Sequence, residues 1–273
     1  MAVITISRGS YSKGKDVAET VARRLGYRCI SRDLLIEASE QFNIPEIRLI
    51  RALHDAPSVL ERFTHGRERY LAYFETALLE RVQRDNVVYH GLAGHLYLQG
   101  IRHVLNARIV ADFEDRVRLE MSREGISRDE AAHILKKDDS ERRQWSLRLF
   151  GVDPWDPSLY DLIIYIKKIT VEDAAEIICS AVALENFQKT KESQEILDSR
   201  TLAAQVKAVI VQNYPHVTVT ASGGTVTIAA GVDLSSGRRS AGQIQEMVEA
   251  ARNVLGVKSV RVTAVNGDVI FHD

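Results

Sequence analysis

The chain has 273 residues, 45% of them hydrophobic and 27% charged, with 36 basic and 37 acidic side chains. This balance gives no global attraction to nucleic acid or to an anionic membrane, so any anion must be held by a local cluster of Arg and Lys. Cys29 and Cys179 lie far apart with no metal-binding spacing, the first residues lack the basic-then-apolar plan of a secretory signal, and no apolar run is long enough to span a bilayer; a cytoplasmic protein is expected.

Val3-Ile4-Thr5-Ile6 is β-branched and apolar and reads as a short buried strand. A turn follows, Gly9-Ser10-Tyr11-Ser12-Lys13-Gly14-Lys15-Asp16, and then Val17, Ala18, Val21, Ala22 and Leu25 recur at helical spacing up to Gly26. Strand, glycine turn and helix together make the setting of a phosphate-binding loop, in which backbone N–H groups and the helix dipole converge on an anion. Gly9-x4-Gly14-Lys15 matches the Walker A spacing, with Asp16 where a Ser or Thr normally holds magnesium.

Further along, residues 33–42 read as a helix, Pro45 starts another over 45–54, and 67–85 reads as a long helix with Leu71, Phe74, Leu78, Leu79 and Val82 on one face. Residues 86–91 and 104–111 are apolar runs that read as strands, and 160–166 is another. Strands alternating with helices imply a parallel sheet whose ligands sit beyond the carboxyl ends of the strands. Between 113 and 150 the chain is rich in arginine, with the run 136–143 expected between two helical stretches. Thr170-Val171-Glu172-Asp173 reads as a capping box opening a helix over 171–188.

Two further features have plain structural explanations. His90 and His95 flank a small-residue turn and read as hydrogen-bonded turn histidines rather than metal ligands. Trp155, between Pro154 and Pro157, is expected to pack on the sheet. Composition shifts at Gln188, so 1–190 is expected as one domain, 191–200 as a linker and 201–273 as a small α+β domain closed by a hairpin at Asn266-Gly267.

These segments resemble the cytidylate kinase-like family of P-loop nucleoside monophosphate kinases. The carrying stretches are Ile4–Arg8 through Tyr27, Ser31-Arg32-Asp33, Val87–Gly94, Asp112–Arg118, Asp138–Arg142 and Trp155–Leu162. The resemblance implies an α/β fold with a P-loop kinase-like parallel sheet, helices on both faces and a helical lid, plus the small C-terminal α+β domain. It implies magnesium-dependent phosphoryl transfer from ATP to a pyrimidine nucleoside monophosphate such as CMP or dCMP, where positioning and charge carry the rate. Gly9, Ser10, Tyr11, Ser12, Lys13, Gly14, Lys15 and Asp16 would hold ATP, with Asp16 also the metal candidate. Asp33, Lys137 and Asp139 would serve the acceptor. Lys15, Arg116 and Arg142 would carry catalysis.

The loop has Tyr11 and Lys13 where the family usually has glycine, and Leu92 follows Gly91 where an arginine is common. The competing expectations are therefore a nucleotide-binding regulator with lost or weak turnover, or a kinase for another small acceptor such as a sugar or a shikimate-like acid. The C-terminal unit resembles a BON-type module, for which a regulatory or oligomerising role is expected.

Overall fold

The computed structural model describes residues 2–9, 12–31, 66–84, 86–91, 93–230, 238–264 and 269–272. The expected helices over 33–42 and 45–54, the hairpin turn at Asn266-Gly267, and Ser10, Tyr11, Asp33 and Leu92 lie outside the described residues. The chain divides into two compact units, Met1–Val59 with Arg84–Thr190, and Leu60–Gln83 with Lys191–Asp273.

The first unit is built on a five-stranded sheet: β1 (Val3–Arg8), β2 (Arg28–Ile30), β3 (Val87–His90), β4 (Val104–Ala111) and β5 (Leu162–Ile166), in the order β2-β3-β1-β4-β5. Every pairing is parallel, with Ile4 opposite Val88 on one side and Leu105 on the other. A central parallel strand is buried on both faces, which is why β1 is an almost unbroken apolar run. The order reverses at β1, so a crevice opens beyond its carboxyl end.

Helix α1 (Gly14–Leu25) starts at that crevice and buries Val17, Ala18, Val21 and Ala22 against Ile4, Ile6, Val88 and Leu105. It stops at Gly26, which takes the left-handed conformation and donates its N–H to Ala22. The fold class expected from the sequence, a parallel α/β sheet with a smaller C-terminal sheet unit, is the one observed.

Beyond α2 (Gly66–Val82) and the four-residue α3 (Gly94–Tyr97), helices α4 (Phe113–Glu124) and α5 (Arg128–Phe150) form a hairpin around Val117, Ala131 and Leu135. Asp112 caps α4, and Ser127 with Glu130 makes a capping box on α5. Residues 136–143 do not separate two helices; α5 runs through them without a break. No Gly or Pro occurs between its ends, and Lys137 and Glu141 form an i,i+4 pair across the middle of the run. Helix α6 (Val171–Val182) opens with the expected capping box, Thr170 with Asp173.

The second unit contains α7 (Lys191–Ile210), β6 (Thr218–Ser222), β7 (Thr225–Ala230), α8 (Arg238–Arg252), β8 (Ser259–Ala264) and β9 (Val269–His272). Its sheet runs β6-β7-β8-β9, antiparallel except for the β7–β8 pair that α8 connects. Residues 191–200, expected as a linker, are instead the first half of α7. Their polarity belongs to an exposed face, while Ser193, Leu197 and Thr201 are buried.

Helix α2 falls within 1–190 by sequence but packs along α7 in this unit. Thr76 Oγ1 donates to the Ala204 carbonyl at 3.0 Å, and Gln83 Nε2 donates to Asp198 Oδ1 at 2.8 Å. Among the described residues no helix is long and apolar enough to cross a membrane.

Candidate functional site

At the carboxyl ends of β1 and β4 lies a cavity of about 260 Å³. The end of β1 and its turn contribute Ser7, Arg8, Gly9 and Ser12, and β4 contributes Arg108. Helices α4 and α5 bring Arg116, Asp139, Arg142 and Arg143, and the loop before β5 brings Pro154 and Trp155. Five arginines face one carboxylate, so the lining favours a multiply charged anion. Planar guanidinium forks suit phosphate oxygens in such a setting.

The expected residues Gly9, Arg116, Asp139 and Arg142 are brought together here. Arg116 is nearly buried and forks onto Asp139, Nη1 to Oδ2 at 2.9 Å and Nη2 to Oδ1 at 2.9 Å. Gly9 lies against this pair, since a Cβ placed on it would be 3.6 Å from Asp139 Oδ1 and 3.9 Å from Arg116 Cζ. Ser12 is buried and closes the turn by donating to the Gly9 carbonyl at 3.1 Å. Lys13 precedes α1 in the left-handed conformation, with φ 60°, and provides no side-chain cap. The first N–H groups of the helix thus have no side-chain cap.

Five expected residues, Lys13, Gly14, Lys15, Asp16 and Lys137, are not part of the cavity wall. Lys15 is 60% exposed, pairs with Glu19 at 3.6 Å, and is not part of the cavity wall. Asp16 is exposed in the first turn of α1, also off the wall. Lys137 is 66% exposed and faces Glu141 at 3.9 Å. The cause is helical phase. At 3.6 residues per turn, Val17, Ala18 and Val21 fix the buried stripe of α1, which puts Lys15 and Glu19 on a flank and Asp16 opposite the core.

The structure adds residues that the sequence reading passed over. Arg108 Nη1 donates to the Pro154 carbonyl and to the Tyr160 hydroxyl, and its guanidinium stacks 5.5 Å from the Tyr160 ring centroid. The Tyr160 hydroxyl donates to the Pro154 carbonyl at 2.9 Å and lies 3.3 Å from His95 Nε2. Burial, helped by the Arg108 charge, pushes the His95 pKa down to about 4, so its imidazole is neutral near pH 7. Only an alternating strand pattern marked Arg108, and nothing local distinguished it from a surface cation.

Arg143 Nη2 donates to Asp153 Oδ2 at 2.6 Å, and its guanidinium lies 4.5 Å from the Trp155 ring centroid. That bond holds the Asp153 carboxyl below the usual carboxylate range. Trp155 does not pack on the sheet as expected; it is 51% exposed on the cavity rim, because the proline turn carries it outward onto Arg143. At the neighbouring end of α4, bonds from Lys167 and Tyr165 bring the Asp112 carboxyl down to about 2. Among the described residues no three His, Cys, Asp or Glu side chains converge as a metal-binding group.

A model of the cytidylate kinase-like family matches residues 3–168, more than half of the chain. The chain belongs to the cytidylate kinase-like family. It is 27% identical over 186 residues to a cytidylate kinase of Sulfolobus acidocaldarius, covering 67% of this chain and 96% of that one. A cytidylate kinase of Pyrococcus abyssi is 29% identical over 188 residues, 66% of this chain and 93% of the relative. A crystal structure of an uncharacterized protein from Eubacterium ventriosum superposes with a TM-score of 0.51 at 20% identity, over 67% of this chain and 98% of that one, and shares the fold. Within the family segment, the cavity sits where a parallel α/β sheet binds its ligands.

Proposed function

We propose that this member of the cytidylate kinase-like family transfers a phosphoryl group from ATP to a nucleoside monophosphate, with CMP or dCMP as the acceptor its relatives suggest. The observation that carries the reading is the meeting of Gly9 and Ser12 with Arg116, Asp139 and Arg142, from helices more than 100 residues away in sequence, around one cationic cavity. Phosphoryl transfer asks the protein mainly for positioning and charge stabilisation, which arginine forks and helix N–H groups supply.

The cavity wall does not fit a magnesium ion held by the protein: its one carboxylate, Asp139, has both oxygens on the Arg116 fork, so the ion would arrive with ATP, held by phosphate oxygens and water. When bound with ATP the ion would neutralise phosphate charge. Asp16, the ligand expected from the loop, faces away.

The test is diphosphate formation from ATP, magnesium and each of CMP, dCMP, UMP, AMP and shikimate, against an Arg142→Ala control. Formation of CDP that collapses in the control supports the reading; no product from any acceptor refutes it. The outward position of Lys15 favours a second reading, a nucleotide-binding regulator without turnover, which predicts ATP binding and no product. For the second unit, whose element order is α7-β6-β7-α8-β8-β9, we propose a BON-like module with a regulatory or self-associating role, and for the whole chain a cytoplasmic location. Sedimentation of the full chain with and without residues 211–273 tests the association.

A further inference from the structure

We propose that Arg8, not Lys15, supplies the fixed positive charge of the phosphate-binding turn. In the motif the lysine after the second glycine reaches the terminal phosphates of the donor. Here that lysine is on the flank of α1 and engaged with Glu19. Arg8 is placed differently. It ends β1, the central strand, with its backbone in register with Ile109 of β4, and it lines the cavity together with Gly9, Ser12 and Arg116.

Gly14 shows how the side chain is held. A Cβ on Gly14 would lie 2.6 Å from Arg8 Cβ, 2.9 Å from its Cδ and 3.3 Å from its Cγ. Two of these approaches are closer than side chains tolerate, and one involves the Cβ, which cannot swing away. The second glycine of the motif therefore leaves room for the stem of Arg8 to cross the start of α1. The stem is fixed by β1 at one end and by Gly14 along its length, its Nε is buried, and the residue lines the cavity, with its charge acting on the buried Tyr89 hydroxyl as well. Arginine is suited to this place: it stays charged, and its fork can bind two oxygens of one phosphate. The assignment rests on the proposed kinase reading for the identity of the anion, and on geometry alone for the choice of cation.

The experiment is calorimetric titration of inorganic tripolyphosphate into the full chain and into Arg8→Gln, Arg8→Lys and Lys15→Gln, each checked by circular dichroism. Loss of one charge-assisted contact should weaken binding by about tenfold to a hundredfold in Arg8→Gln, less in Arg8→Lys, and leave Lys15→Gln within about twofold. Should Arg8→Gln fail to fold, the side-chain Nε–Hε resonance of Arg8 in the wild-type protein is followed by NMR, and it must shift as tripolyphosphate is added. Weak binding by Lys15→Gln with an unmoved Arg8 resonance overturns the assignment, as does tripolyphosphate binding unchanged in Arg8→Gln. Wild-type protein that binds tripolyphosphate through Arg8 yet makes no CDP keeps this assignment and removes the kinase reading. CDP formation that is indifferent to Arg8 does the reverse, and no tripolyphosphate binding by the wild type removes the assignment.

Discussion

The Arg116–Asp139 pair ties α4 to α5 and stands in the cavity wall, so replacing Asp139 with alanine should act on stability and on anion binding in opposite directions. The Arg116 side chain is 9% exposed and Asp139 23%. Breaking a fully buried pair costs ~3–5 kcal/mol, because the remaining charge has no partner. Asp139 is partly wet and Arg116 opens onto the cavity, so water recovers part of this; about 2 kcal/mol is expected, near the range of ~1.5–3 for hydrogen bonds to charged groups. Both tryptophans of the chain, Trp145 and Trp155, belong to the first unit, so their fluorescence in urea follows that unit alone. With a slope of about 2 kcal/mol per molar urea, the midpoint should fall by about 1 M. Saturating tripolyphosphate should restore much of the loss, since a ligand at a hundred times its Kd adds ~2.7 kcal/mol to whichever form binds it, and Arg116 without Asp139 binds an anion better. A midpoint shift below about 0.2 M, or a loss that tripolyphosphate leaves unchanged, would refute the account of this pair.

Arg142→Ala should lower the rate of CDP formation by about a hundredfold or more, the scale of losing one preorganised donor, as read by product chromatography. Gly14→Ala, which forces a methyl group onto the Arg8 stem, should cost ~1–3 kcal/mol in the same urea assay and weaken tripolyphosphate binding. His95 titrates at about 4 in the folded protein against 6.5 when unperturbed, so below pH 6.5 the unfolded chain binds the extra proton. Stability should therefore fall as pH drops from 6.5 towards 4, by an amount of order 2–3 kcal/mol, and His95→Gln should flatten that part of the urea-midpoint profile. Trp155 lies on the rim, and its emission should change on addition of ATP or CMP; Trp155→Phe should reduce that signal to the response of the buried Trp145, which lines the same cavity.

The sheet was legible because buried parallel strands leave apolar runs that need no context, as in Val3–Ile6 and 104–111. Capping chemistry is equally local, and Thr170 with Asp173 could be read directly. Tertiary membership is not local. Helix α2 has an apolar face whichever helix covers it, and nothing within 66–82 says that Thr76 will meet Ala204. The polar start of α7 looked like a linker for the same reason, since Leu197 and Thr201 are buried only by virtue of their neighbours. In the site, Arg116, Asp139 and Arg142 could be picked out through the family resemblance, whereas Arg108 and Arg143 depend on Tyr160, Pro154 and Asp153, which contact them only after folding.

The Walker spacing gives the clearest case of a motif that is right in place and misleading in detail. Gly9-x4-Gly14-Lys15 does mark the turn between β1 and α1. A spacing fixes distance along the chain, but the direction of a side chain depends on where the helix begins and which stripe it buries. Once Lys13 turns left-handed and Gly14 opens α1, the burial of Val17, Ala18 and Val21 commits Lys15 to the flank beside Glu19. On the assignment proposed above, the charge that the turn needs comes from outside the motif. Arg8, one residue before it, has the strand to anchor its backbone and Gly14 to make way for its side chain. The two glycines are consequently not equivalent. A Cβ on Gly9 would meet Asp139 and Arg116 only at ordinary contact distances, whereas Gly14 keeps the helix clear of Arg8. Gly9→Ala should therefore be tolerated, whereas Gly14→Ala should damage the site through the placement of its cation.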